Sequence, residues 1–542
     1  MAQESESGPV IKCDAIIVGA GLSGCSMLYR LRKLNLDARI LESGKDFGGV
    51  WHWNRYPGAR VDSEWPFYQL SIPEVYRDWK FSERFSDHNE IRSYFSHLDT
   101  QLDLRKSAYF EAHVTSAVRD EKSNEWTVKC KQGHVARCKY LVLCTGLLHR
   151  THIPIFPGSE RYKGEIHHTG AWPKKLDVKG KKIGIIGAGA TAVQVTQSLS
   201  KEAAHLTVFM RRPSYCLPMG QREITEREQS SWKAYYKILF QAGRQSGTGF
   251  PTNHLLKSAM DVSDEDRERY FEEIWARGAF NFQIQNYYDI VRNEESNRKV
   301  YDFWAKKVRQ RIKNPGKADL MAPKEPPYFF GTKRAPLEQD YYECIDRENV
   351  ALIDLTKTPI KEFNETGILL SSTETPQLDL DVVVLATGFD AFTGSLTQLG
   401  LKNRDGIDIK EYWHEGIRTY LGMFFHGFPN AFMLFTPQAP TALSNGPTVI
   451  ETQCDLVANA IERMERENIR SIEATTAAED EWNSIIEEMN KNTLYPLTNS
   501  WWNGGNIPGK KPQNITHTAG IAVYEAQCKE RLENWIGFIV TQ

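Results

Sequence analysis

Two short glycine runs in this 542-residue chain have the spacing needed to seat a pyrophosphate. One places Gly19, Gly21 and Gly24; the other places Gly187 and Gly189 before Thr191 and Ala192. The glycines allow a tight turn and a close approach of backbone to phosphate, and the free N–H groups at the start of the following helix receive the anion. Each run follows an apolar stretch without a gap, Cys13 to Val18 and Ile183 to Ile186, so each reads as strand, loop and helix rather than as a lone glycine turn. The next strands end differently. Ala38 to Leu41 leads to Glu42, an acceptor for a ribose diol, whereas Leu206 to Met210 leads to Arg211 and Arg212, whose guanidinium forks suit a ribose 2′-phosphate. The basic end of the second unit fits NADPH rather than NADH, and loop order leaves FAD for the first, since an N-terminal unit ending in an acid is the usual home of FAD's adenosine. Two such sites in one chain imply chemistry that uses both cofactors together.

Between the loops lie Tyr162, Gly164, His168, Trp172 and Pro173. This pattern of aromatic, glycine, histidine and Trp-Pro resembles the fingerprint of the Baeyer–Villiger monooxygenases, flavoproteins that insert one oxygen atom beside a ketone carbonyl. Tyr162 stands where that family usually has Phe. The resemblance runs from Gly19 to Lys510 and implies roles for further residues. In the stretch from Phe330 to Arg334 it makes Arg334 the active-site arginine and brings Lys333 to the NADPH 2′-phosphate. In the stretch holding Gly48, Gly49, Trp51, Tyr56, Pro57 and Gly58 it makes Asp62 the partner that orients Arg334, with Trp51 and Tyr56 walling the isoalloxazine. Trp501, in a loop rich in glycine and asparagine, would close over the nicotinamide ribose. Tyr162, Gly164, His168 and Trp172 would couple the movements of two domains, His168 pointing away from the flavin in a structural or gating role. Asn445, just before Gly446 and Pro447, ends a loop that delivers a helix N-terminus to the flavin ring.

The activity implied is an FAD- and NADPH-dependent oxygenation of a ketone by O2 to an ester or lactone through a C4a-peroxyflavin. Arg334, always charged, would hold the anionic oxygen species. The alternative is a flavin-containing monooxygenase acting on sulfides or amines; Trp172-Pro173, Arg334 and Asp62 argue against it. A disulfide reductase is excluded because no redox-active cysteine pair follows the first loop. Cyclic, linear, aryl and steroid ketones all remain open as substrates. Several relatives carry a bulkier residue where Gly446 stands, so the small residue here would leave room for a larger ketone.

The elements that must position these residues make an α/β chain of two Rossmann-like dinucleotide-binding domains with a helical insertion. Residues 1–150 and 391–542 are expected to form the FAD domain, and 151–224 and 325–390 the NADPH domain. Between them, 225–324 loses the β pattern and reads as helices, one of them capped by Ser263. A formal charge of −2 and a pI of about 6.7 speak against nucleic-acid binding. No apolar run reaches the ~20 residues that span a bilayer, and the first residues lack the parts of a signal peptide. A soluble, cytoplasmic protein is expected, a monomer or weak homo-oligomer. The nine cysteines lie singly with no metal spacing, which fits reduced thiols and no metal site.

Overall fold

A computed structural model of the chain describes residues 10–374 and 376–542. Short apolar runs become the centres of two parallel sheets. In the first, Ala15–Val18 lies between Tyr140–Leu143 and Ala38–Leu41, with Ala431–Met433 and Ala108–Tyr109 at the edges. In the second, Lys182–Ile186 lies between His205–Met210 and Val382–Leu385, with Val350–Asp354 and Glu165–His168 outside them. All pairings in both sheets are parallel. Strands such as Ala15–Val18 and Val382–Leu385 are buried along their whole length, which is why they read as unbroken apolar runs rather than as alternating ones.

The two sheets repeat one topology. In each, the chain leaves a central strand through a glycine loop and a helix, Leu22–Lys33 or Ala190–Leu199, to the strand on one side. It later returns to the strand on the other side. The glycine loops therefore sit where the strand order reverses, the place where a parallel sheet opens a crevice at the carboxyl ends of its strands. Each return is preceded by an antiparallel excursion. Val114–Asp120, Glu125–Cys130 and Val135–Cys138 precede Tyr140–Leu143, and Ile360–Phe363, Gly367–Leu370 and Gln377–Asp379 precede Val382–Leu385. No glycine or charge motif marks these meanders, although the alternating burial of Glu125–Cys130 is their period-two signature.

The longest helices of the stretch after the second sheet begins are Glu226–Lys233, Tyr236–Arg244, Asp264–Ala276 and Glu294–Arg309. Ser263 caps the third of these by accepting from the Asp266 amide at 3.1 Å, as expected. The segment from 162 to 173 is not a free connector. Its residues Glu165–His168 pair with Val382–Leu385 as the edge strand of the second sheet. The long helix Gly446–Arg466 packs against Leu22–Lys33, and Arg30 joins them through Glu451 and Asp455.

Candidate active site

Arg334 and Asp62, 272 residues apart in sequence, form a bidentate pair: Nε donates to Oδ2 at 2.5 Å and Nη2 to Oδ1 at 2.9 Å. Two anchors hold the arginine's segment. Upstream, buried Asn297 of the helix Glu294–Arg309 accepts from the Phe330 amide and donates to the Phe330 carbonyl, both at 2.9 Å. Downstream, Leu337–Glu338 pairs with Leu217–Pro218, and Arg311 secures buried Glu338. Asp62 ends a strap that lies on the second sheet's helix. Gly58, at φ +83°, comes so close that a Cβ would stand 2.8 Å from the Gln194 carbonyl oxygen, and the Tyr56 hydroxyl donates to Gln194 Oε1 at 2.8 Å. The strap's far end is held by the Val61 amide on the Ser86 carbonyl.

The guanidinium is surrounded by groups that keep it in one orientation. Phe280, from the helical stretch, lies under it with the ring centroid 4.7 Å away. The Ala442 and Ser444 carbonyls accept from Nη1 at 3.3 and 3.5 Å. Burial opposes the charge, but the Asp62 carboxylate more than offsets it and holds the Arg334 pKa above its ordinary range. The charge is thus permanent. Trp51 does not stand free beside the pair; its Nε1 donates to the Tyr68 hydroxyl at 2.7 Å, and both Asp62 and Arg334 act electrostatically on that hydroxyl. Phe280, Asn297, Tyr68 and the two carbonyls carry no motif that singles them out in the sequence. Asn297 does leave a weaker signal: it lies on the apolar face of its helix with Val300, Tyr301, Trp304 and Val308, where a polar side chain must find a partner.

The two loops fit dinucleotides. Neither helix start has a side-chain cap or an acid in its first turn, so the amides there are left for an anion. In the first loop Gly19, at φ +108°, and Gly24 pack backbone on backbone, a Cβ on Gly19 standing 2.5 Å from the Cys144 carbonyl oxygen. Gly21 lies under Gly49. In the second, Gly187 has the same tight contact with the Ala386 carbonyl, whereas a Cβ on Gly189 would meet only open space, as on Gly146 and Gly388 at the ends of the returning strands. Ala192 is buried at the third position and Thr191 half-buried beside it. Glu42, 4 % exposed, accepts from the Ala20 and Gly44 amides at 2.6 Å, so it shapes the first loop at its mouth. Ser63 Oγ, Ser444 Oγ and Asn445 Oδ1 are buried without a hydrogen-bond partner among the described residues. Asn445 stands directly before the helix Gly446–Arg466 and donates to the Phe67 carbonyl.

Arg211 and Arg212 follow the strand His205–Met210 and form no ion pair among the described residues; nor does Lys333. The Lys333 amine lies 4.1 Å from the centroid of the Tyr328 ring. Burial and repulsion by Arg212 and Arg211 lower its pKa to about 8. Three cations in no ion pair among the described residues are chemically suited to a dianion.

His168 is 5 % exposed and fully engaged. Nδ1 accepts from the Gly170 amide at 3.0 Å, which assigns the proton to Nε2, the donor to the Gly388 carbonyl at 3.1 Å. Nε2 thus ties the segment to the turn after the second sheet's returning strand, while Nδ1 fixes the ring within its own segment. Tyr162 donates to the Leu380 carbonyl at 2.8 Å, and Gly164 is required beneath it, since a Cβ there would overlap the Tyr162 ring. Trp172 is half-buried against the main core. The loop holding Trp501 is clasped onto residues 389–393: Trp501 stacks on Phe392 at 5.6 Å, Asn506 donates to the Phe389 carbonyl, and Lys510 meets Asp390 at 2.8 Å.

Among the described residues no group of His, Cys, Asp and Glu side chains could hold a metal, and no helix is long and apolar enough to cross a membrane.

The chain matches the family model "Flavin-binding monooxygenase-like" over residues 12–223. It is 42 % identical over 533 residues to the FAD-binding monooxygenase acrE of Aspergillus aculeatus, covering 98 % of this chain and 90 % of the relative. It is 37 % identical to cyclopentanone 1,2-monooxygenase of Comamonas sp., covering 97 % and 96 %. Among solved structures it resembles cyclohexanone monooxygenase from Rhodococcus sp. Phi1 bound to NADP+, with a TM-score of 0.94 and 33 % identity over 98 % of this chain and 100 % of that one.

Proposed function

The chain belongs to the Baeyer–Villiger monooxygenases of the flavin-binding monooxygenase-like family, and on that premise we propose how its own residues perform the reaction. The enzyme uses FAD and NADPH to insert one oxygen atom of O2 next to a ketone carbonyl, giving an ester or lactone. When bound, NADPH supplies a hydride and the reduced flavin supplies activated oxygen. The observation that carries the residue assignment is the permanent, bidentate pairing of Arg334 with Asp62 where segments from the first sheet, the second sheet and the helical stretch converge.

In this reading residues 1–150 and 391–542 hold FAD. Gly19, Gly21 and Gly24 receive its pyrophosphate, and Glu42 accepts from its ribose. Trp51, held by Tyr68, and Tyr56, held by Gln194, wall its ring system, with Asn445 at the helix start beyond. Residues 151–224 and 325–390 hold NADPH through Gly187, Gly189, Thr191, Ala192, Arg211, Arg212 and Lys333, and 225–324 is the insertion that supplies Phe280. Trp501 covers the nicotinamide ribose. Asp62 orients the guanidinium, and Arg334 stabilises negative charge that builds on oxygen, first before the ketone is attacked and then on the former carbonyl oxygen. Phe280, on one face of the guanidinium, keeps water from it. Tyr162, Gly164, His168 and Trp172 link movement of the second sheet to the first.

Substrates are a ketone and O2, with cyclic ketones the first class to test, because a relative 37 % identical is a cyclopentanone monooxygenase. A cytoplasmic setting agrees with nine cysteines all unpaired, and a monomer or weak homo-oligomer is proposed. Aerobic incubation with NADPH and a panel of cyclic, linear and aryl ketones plus a thioether is expected to yield lactones or esters by mass spectrometry. Sulfoxide as the sole product would move the chain to the sulfide-oxidising reading.

Lys333 predicts a pH dependence for cofactor binding. Well below pH 8 the amine already carries its proton. Above that, each 2′-phosphate bound must bring one with it, so affinity for NADP+ falls by up to about tenfold per pH unit. NAD+, which lacks the phosphate, is expected to show no such slope. Parallel titrations of the two between pH 6.5 and 9.5 check this (buffers of about matched ionic strength), and equal slopes would remove Lys333 from the phosphate site.

A further inference from the structure

We propose that Lys333 is a modification site whose amine accepts the acyl group of a small acyl phosphate, the phosphate being received by Arg211 and Arg212. The consequence, loss of NADPH binding, rests on the placement of the 2′-phosphate given above; the modification itself does not.

Three observations meet here. Lys333 forms neither an ion pair nor a hydrogen bond through its amine among the described residues, so nothing has to be broken before it reacts. Its place is rigid: the amine lies over Tyr328, which stacks on Tyr215 at 4.1 Å and donates to the Pro213 carbonyl at 3.0 Å. Arg211 and Arg212, both exposed and in no ion pair among the described residues, stand close enough to repel it. A donor must therefore bring negative charge, and an acyl phosphate carries it on the group that leaves. The neutral amine attacks the acyl carbon, the carbon–oxygen bond to phosphorus breaks, inorganic phosphate departs with the electron pair, and the amine's proton passes to it or to water. No electron is exchanged with an outside reagent. The product is a neutral amide, with one charge fewer to hold a 2′-phosphate.

Reactivity follows from the amine's state. With a pKa of about 8, roughly a quarter of it is neutral at pH 7.5, against about a thousandth of an ordinary lysine. Its weaker basicity returns part of that gain, which leaves an advantage of at least about tenfold.

The test treats the FAD-loaded enzyme with millimolar acetyl phosphate at about pH 7.5 and follows acetylation of each lysine by peptide mass spectrometry. Lys333 is expected to react at least about tenfold faster than exposed Lys174 and Lys175. Excess inorganic phosphate, or the pair of substitutions Arg211→Ala and Arg212→Ala, should remove the advantage. NADP+ should protect, NADPH-dependent flavin reduction should decay in step with the label, and Lys333→Arg should abolish both. Equal rates at Lys333, Lys174 and Lys175 would overturn the proposal, as would a Lys333 preference that survives excess phosphate. Selective, phosphate-sensitive acetylation that NADP+ does not prevent would support the modification site and instead sink the placement of NADPH.

Discussion

Replacing Arg334 with Ala leaves reduction of the flavin by NADPH intact and abolishes ester formation. The two outcomes separate because the cation cluster and the glycine loops do not depend on this side chain, whereas the developing negative charge on oxygen has Arg334 as its fixed donor. Removing one preorganised donor to such a charge typically costs on the order of 10²–10³ in rate. Here the donor is also a full charge, held between Phe280 and the Ala442 and Ser444 carbonyls, so a loss of at least about 10³ is expected. Arg334→Lys retains the charge but cannot make the two-point contact with Asp62, and should recover only part of the loss. Stopped-flow reduction and product analysis on the same preparations decide the matter. Undiminished oxygenation in the Ala variant would remove the central assignment.

The second large effect concerns a single methyl group. Gly24→Ala yields protein that purifies without flavin. Gly24 is in the first turn of the helix Leu22–Lys33, and a Cβ there would overlap the Gly19 carbonyl oxygen and lie 3.6 Å from the Ile17 side chain. The obstacle is backbone, which cannot swing aside, so the helix must move away from the strand and take its free amides with it. FAD affinity should fall by at least about a hundredfold, roughly 2.7 kcal/mol. Gly189→Ala is the internal contrast. Its methyl would meet nothing in the protein, so that variant should keep its flavin and its melting temperature and lose affinity for NADPH alone. Flavin absorbance, thermal unfolding and NADP+ titration of the two variants separate a glycine needed for packing from one needed for a ligand; flavin retained at full occupancy in Gly24→Ala would contradict the packing argument.

Local chemistry makes a large part of this protein legible in its sequence. Strand, glycine loop, helix and terminal charge are neighbours in the chain, and their spacing follows from the 2- and 3.6-residue periods of the backbone, so pattern is enough to place Gly19, Gly187, Glu42, Arg211 and Arg212. The cap at Ser263 is readable for the same reason. The Asp62–Arg334 pair is not readable in this way; resemblance to a family supplies it, and spacing alone leaves Asp62 as a turn or cap acid and Arg334 as readily an exposed charge as a site residue. The stretch from Tyr162 to Trp172 looks like a connector, yet part of it completes the second sheet, because Glu165–His168 can recognise its place only once Val382–Leu385 offers an open edge.

What the tertiary structure alone decided is how side chains far apart in sequence share one site. Phe280 under the guanidinium, Asn297 clamping Phe330, and the Ala442 and Ser444 carbonyls come from separate segments. No periodic pattern links them, since their meeting depends on the order of strands in two sheets and on where the helical stretch docks. The sequence by itself determined two nucleotide-binding units and the opposite charges that end them, because those depend on residues within a few turns of one another. The lowered basicity of Lys333, the fixed orientation of the Arg334 guanidinium and the single tautomer of His168 required the folded chain, because each is set by neighbours that only packing brings within a few ångströms.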